Sequence, residues 1–284
     1  MTKTLLSFGH GYSATALADV LIPQGWTIIG TTRNPDKADI LRAAGVTPSI
    51  WPDEDLSEAV SQASHLLISA GPQDDGDPVL QRYRGEITRR ADQFEWVGYL
   101  STTGVYGDHQ GGWVDEGSVL SPATKRGRMR VKAEAEWQAI PGLALHIFRL
   151  AGIYGPGRGP FAKVRAGTAR RIIKPNQVFS RIHVEDIAQV LKASIDQPNP
   201  GGIYNLCDDD PAPPEDVIAY AAELLGLPVP EAIPFETAEM TPMARSFYAE
   251  SKRVRNDRIK EELGVALKYA DYRAGLNALL KAAG

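Results

Sequence analysis

Gly9, Gly11 and Ala14, in the stretch FGHGYSA, are spaced G-x-G-x-x-A between an apolar run and a helical pattern. Such spacing suits a pyrophosphate. The first glycine permits a tight turn, the second lets the phosphates approach the backbone, and the small third residue lets helix and strand pack closely. A helix beginning there offers free N–H groups and the positive end of its dipole. The next apolar run ends GTTRNPDK, with Thr32 and Arg33 at the corner about 20 residues on, where an NAD site places an acid. An arginine there can bind a 2′-phosphate by charge-assisted hydrogen bonds, so NADP is expected over NAD. Its plainer alternative is a solvated loop arginine. Further on, KRGRMRVKAEAEW sets Arg128 one helical turn before Lys132, on a shared face.

The elements that must position these residues follow from periodicity. KTLLSF, WTIIGTT, VTPSIW, HLLISA, WVGYLS and LALHIFRL are strand-length apolar runs. Helical spacing fills the intervals, as in SATALADVLIPQG and DKADILRAAG. Alternation of this kind predicts an α/β fold, a Rossmann-type doubly wound parallel sheet with right-handed crossovers. After residue 150 the pattern loosens. RIHVEDIAQVLKASI, PPEDVIAYAAELLG and DYRAGLNALLKAA read as helices, GGIYNLC as one more strand, and LPVPEAIPFETAEMTPMAR as loop. The expected division is a dinucleotide-binding domain of residues 1–150 plus about 179–207. Residues of about 151–178 plus 208–284 then form a smaller C-terminal substrate lobe.

Bulk properties narrow the class of function. At 284 residues with 43% hydrophobic and 23% charged content, the chain can bury a large core. A net charge of −4 gives no dominant basic surface, so nucleic acid is not an expected partner. The opening MTKTLLSFGHGYS has too short an apolar run for a signal-peptide core, and no run reaches the roughly 18 apolar residues of a membrane span. A soluble, cytoplasmic protein without membrane contact is the expectation. The single cysteine, Cys207, excludes an internal disulfide and reads as a small buried residue. Asp74, Asp75 and Asp77, and Asp208, Asp209 and Asp210, read as polar loops, so no metal is expected.

The succession GHGYSA, YLSTTGVYG, RLAGIYGPGR, RIHVEDIA and YNLCDDDP resembles the extended short-chain dehydrogenase/reductases, the NAD(P)-dependent epimerase/dehydratase group, in order from residue 4 to about 225. The resemblance implies a Rossmann-type domain with a C-terminal substrate lobe. It gives Thr102 the place of the hydroxyl that hydrogen-bonds the substrate oxygen, against a plainer reading as a strand-end cap. Thr103 and Gly104 stand where dehydratases carry acids, which argues against a sugar-nucleotide dehydratase. In the family's Y-x-x-x-K motif, Lys132 takes the lysine place beside the nicotinamide ribose, and Arg128 the place of the catalytic tyrosine. A guanidinium is always protonated and cannot act as the base, though it can polarise a carbonyl or hold an anion. Tyr106 is the nearest tyrosine that could substitute. The expected catalytic set is Thr102, Arg128 and Lys132; the cofactor set is Gly9, Gly11, Tyr12, Ser13, Ala14, Arg33, Ala70, Gly71 and Lys132.

Other charged residues receive plainer readings. Arg126 and Arg130 are expected on a solvated helix face, with Arg130–Glu134 and Lys132–Glu136 as surface pairs. Arg158 could meet a phosphate or carboxylate but reads as a solvated loop residue, and His183 reads as structural. Two functions remain open. One is an NADP(H)-dependent oxidoreductase or epimerase of a small polar substrate. The other is a non-catalytic dinucleotide-binding sensor or scaffold. The charge-rich helix of residues 125–136 suits a buried interface poorly, so a monomer or weak homodimer is expected.

Overall fold

The computed structural model describes residues 3–283. Seven strands form one parallel sheet: β1 (Thr4–Phe8), β2 (Thr27–Thr32), β3 (Thr47–Ile50), β4 (His65–Ile68), β5 (Trp96–Thr102), β6 (Leu145–Leu150) and β7 (Ile203–Leu206). Their spatial order is β7-β6-β5-β4-β1-β2-β3. The chain therefore winds outward from β1 to β3, crosses back to β4, and winds the other way. Ligands of open parallel sheets bind at that reversal, outside the carboxyl ends of the strands.

The strand sequences are near-continuous apolar runs because helices cover both faces of the sheet. All four residues of β4 and all six of β6 are buried. Along β1 the side chains alternate between two cores. Leu5 joins Leu17 and Leu21 of α1 (Tyr12–Leu21) and Ile187 and Leu191 of α6 (Val184–Asp196) on one face. Leu6 and Phe8 join Val79, Tyr83 and Ile87 of α4 (Pro78–Arg89) and Trp137 of α5 (Lys125–Gln138) on the other. The short helices α2 (Lys37–Ala43) and α3 (Ser57–Gln62) complete the first crossovers.

A separate apolar cluster joins Phe161, from the short helix Phe161–Arg165, to Val217 and Ala221 of α7 (Pro214–Leu224) and to Tyr272 and Leu276 of α8 (Tyr272–Ala283). The Pro-rich stretch expected as loop is more ordered than its punctuation suggests. Ala232–Pro234 pairs in parallel with Arg171–Ile173, and Pro242–Phe247 forms a short helix capped by Thr241. Proline is tolerated there because the pair has only two strands, so every strand is an edge. No helix among the described residues is long and apolar enough to cross a membrane.

Candidate cofactor and active site

The turn after β1 is shaped by two glycines with different duties. Gly9 has φ +76°, and a Cβ on it would lie 2.8 Å from the backbone nitrogen of Ala70, so only glycine fits. The close approach is locked by hydrogen bonds: Ser69 and Ala70 N–H both donate to Phe8 O at 2.9 Å, and Gly9 N–H donates to Thr31 Oγ1 at 2.7 Å. Gly11 precedes α1 with an ordinary φ of −119°, and a Cβ there would meet nothing nearer than Gly9 O at 3.7 Å. No side chain caps α1 and its first turn holds no acid. The first N–H groups of α1 thus receive no side-chain cap from Gly11. Ser13 and Ala14 are buried beneath, where the small side chains let α1 lie close to the sheet.

Tyr12 ties this turn to the segment after β6. Its hydroxyl donates to Pro156 O at 2.9 Å, and the Arg158 guanidinium lies 5.7 Å from its ring centre. Arg158 is exposed, as expected of a loop residue, and lies at the mouth of the turn. At the end of β2, Thr32 Oγ1 accepts from Asn34 N–H at 3.1 Å, and Arg33 is exposed with no hydrogen bond or ion pair among the described residues.

On the other side of the crevice, Thr102 ends β5 and caps the next turn, its Oγ1 accepting from Gly104 N–H at 3.1 Å. The hydroxyl keeps its proton for another partner. α5 meets that turn at Gly127, where a Cβ would lie 2.7 Å from Gly104 O. This contact sets which face of α5 looks inward. One position in three or four follows: Gly127, Arg130, Val131, Glu134. Arg130 crosses the carboxyl edge of the sheet. Its Nη1 donates to Leu100 O at 2.7 Å and Tyr99 Oη at 3.0 Å, and Nη2 comes within 3.3 Å of where a Gly71 Cβ would stand.

Glu134 is bound to Arg149 of β6 at 2.8 Å, with both side chains almost wholly buried, and it also accepts from Ser101 Oγ. Arg149 Nη1 reaches Tyr106 Oη at 3.0 Å, and Tyr106 donates on to Asn205 Oδ1 at 2.7 Å. Every polar group in this chain of contacts has a partner, which is what its burial demands.

No family model matches the chain. A functionally unknown conserved protein from Silicibacter pomeroyi DSS is 64% identical, with a TM-score of 0.96 over 99% of both chains. Among curated proteins, Protein YeeZ of Escherichia coli (strain K12) is 29% identical across 95% of this chain and 97% of its own. Two more distant structures align over almost the whole length. MoeE5 in complex with UDP-glucuronic acid and NAD has a TM-score of 0.78 at 18% identity, covering 98% of each chain. Human epimerase family protein SDR39U1 with NADPH has a TM-score of 0.74 at 17% identity, covering 98% of this chain and 99% of its own. The chain has the extended short-chain dehydrogenase/reductase fold.

Within this fold the structure corrects the register read from α5. Arg128 is exposed and its Nη1 donates to Ala123 O at 2.8 Å; Lys132 is exposed and pairs with Glu136 at 3.8 Å. Lys132 lines a hollow of about 30 Å³ with Gln73, Asp74, Met129 and Glu136, between α5 and the segment that leads into α4. The residue that enters the crevice is Arg130, two positions earlier, with Arg126 one turn before it. The expected surface pair Arg130–Glu134 is not made, because Glu134 is spent on Arg149; Lys132–Glu136 is made. Tyr106 is also ruled out as a substitute base. It is fully buried, its hydroxyl is committed at both ends, and burial pushes its pKa up to about 12.

The remaining readings hold a simpler place. His183 caps α6 by accepting from Glu185 N–H at 3.2 Å, a structural duty. Cys207 is fully buried, and its thiol, pushed up by burial, donates to Val254 O at 3.1 Å. Asp74 pairs with Lys125, Asp77 caps α4, and Asp209 and Asp210 pair with Lys260 and Arg273.

Proposed function

We propose that the protein is an NADP(H)-dependent oxidoreductase or epimerase-like enzyme acting on a small polar substrate. The observation that carries this reading is the paired geometry of the glycines: Gly9 closed against Ala70, Gly11 open above an uncapped helix terminus. A bound pyrophosphate would occupy that opening, with Arg158 beside it. Thr32 ends β2 and Arg33 follows it, with no carboxylate at either position, which favours a 2′-phosphate over a free ribose hydroxyl. Arg130, which reaches Leu100 O at the carboxyl edge of the sheet, would hold the nicotinamide ribose, the duty that the family gives to its lysine. The dinucleotide would supply or accept hydride.

Thr102 would then donate its hydroxyl proton to a substrate oxygen while still accepting from Gly104. Arg126, at the exposed start of α5, brings a fixed positive charge where the family has a tyrosine. Such a charge stabilises a developing oxyanion or holds an anionic group, and it takes up no proton. A second reading follows from that same absence of a base. A non-catalytic protein that reports dinucleotide occupancy would need only the glycine turn and Arg33. Tight NADPH binding with no cofactor turnover over a broad panel of carbonyls and alcohols would favour it.

The test of the main reading is calorimetric titration with NADPH and NADH. The wild type is expected to prefer NADPH, and Arg33→Asp to lose about tenfold or more of that affinity while NADH is little changed. Equal binding of both cofactors by the wild type ends the NADP assignment. The same titration checks the helix register. Arg130→Ala should weaken NADPH by about tenfold, one lost charged hydrogen bond. Lys132→Ala should change neither affinity nor stability beyond about 0.5 kcal/mol.

A further inference from the structure

Between the loop GPGRGP, the short helix Phe161–Arg165 and the end of α8 lies an open groove of about 250 Å³. No residue of the glycine turn lines it. Its apolar side is made by Phe161, Leu279 and Ala282. Glycine at positions 155, 157 and 159 keeps the loop wall bare. A Cβ on Gly157 or on Gly159 would meet nothing within 4 Å. Gly157 has φ +70°, so its backbone asks for glycine, whereas Gly159 lies outside the left-handed region and would accept another residue. What glycine does at 159 is leave the groove unfilled.

The groove is also positively charged, with no acid to balance it. Arg158 and Arg165 line it, no carboxylate does, and neither guanidinium has an ion pair or hydrogen bond among the described residues. Each lies 5.7 Å from an aromatic ring centre, Arg158 from Tyr12 and Arg165 from Phe161. Arg158 borders the glycine turn as well, so Arg165 is the charge that belongs to the groove alone. Apolar walls beside an unopposed cation suit an anion with an apolar body. The volume falls below the roughly 300–1,000 Å³ of pockets that enclose drug-sized ligands, so that body is small. From Phe161 to Arg165 is one helical turn, about 6 Å along the axis, the length of a ring system rather than of an extended chain. A guanidinium also stacks on aromatic faces, as both arginines already do here. We propose that this groove is a binding site for an aromatic monocarboxylate, with its ring against Phe161 and Leu279 and its carboxylate on Arg165.

The test titrates the intact protein with 2-naphthoate, followed by ligand-detected NMR. The uncharged 2-naphthamide and the linear decanoate serve as comparisons, and no nucleotide is present. The wild type is expected to bind 2-naphthoate about tenfold more tightly than either comparison. Arg165→Gln removes the charge from an exposed position, and Gly159→Leu fills the loop wall at a permissive one. Each should weaken 2-naphthoate by about tenfold while the melting temperature stays within about 2 °C of wild type. Arg165→Gln should also abolish the preference over 2-naphthamide. A wild type that does not bind 2-naphthoate, or a variant of either kind that binds it unchanged, overturns the site. Equal binding of 2-naphthamide overturns the role of the charge, and equal binding of decanoate overturns that of the ring. Because the ligands carry no phosphate, these outcomes leave the NADP(H) reading to its own titration.

Discussion

Gly11→Val is expected to remove dinucleotide binding while leaving the protein folded. Affinity for NADPH should fall by about a hundredfold or more, or about 2.7 kcal/mol. The backbone at Gly11, φ −119° and ψ −157°, is open to any L-residue, and the nearest atom to a new Cβ is 3.7 Å away. The fold therefore loses little, no more than the roughly 1 kcal/mol by which an apolar residue is worse than glycine before a helix. What the side chain does take is the space over the first N–H groups of α1, which the phosphates need. Gly9→Val makes the contrast. There the left-handed φ of +76° and the 2.8 Å approach to Ala70 force strain on the fold, so stability falls together with binding. Calorimetric titration and thermal melting of the two variants check both halves. A Gly11→Val protein that binds NADPH as the wild type does would show that the glycine turn is not the phosphate site.

The same difference between local and distant causes decides what could be read from sequence. The strands were legible because a parallel sheet buries both faces of each strand, so β4 and β6 appear as unbroken apolar runs. The glycine turn was legible because its requirements, a positive φ and a close backbone, lie within a few residues. α5 was not. Four basic residues, Arg126, Arg128, Arg130 and Lys132, alternate along its first turns, and two i, i+4 pairs compete for the same reading. Nothing local ranks them. The choice is made by Gly127 against Gly104 and by Glu134 on Arg149, contacts between distant parts of the chain.

Glu134→Ala is expected to be the most destabilising single change in the crevice, and its effect should reach the cofactor. The Glu134 and Arg149 side chains are 3% and 4% exposed, so deleting the carboxylate leaves a buried guanidinium without its counter-charge. Breaking such a pair from one side costs about 3–5 kcal/mol, because the remaining charge cannot be rehydrated. For a chain of this size, that corresponds to a fall in Tm of roughly 10 °C. Removing both charges, as Glu134→Leu with Arg149→Met, should recover most of the loss. Ser101 and Tyr106 still lose a partner each, so recovery should stop short by about 1–2 kcal/mol. Urea unfolding of Glu134→Leu, Arg149→Met and the double closes this cycle. The link to function runs through α5. Glu134 is one turn beyond Arg130, and by anchoring the helix to Ser101 of β5 and Arg149 of β6 it turns Arg130 toward the sheet edge. The Glu134→Ala protein, measured well below its Tm, should therefore also bind NADPH more weakly than Lys132→Ala. If it loses less than about 1 kcal/mol and binds normally, the register of α5 is set by Gly127 alone.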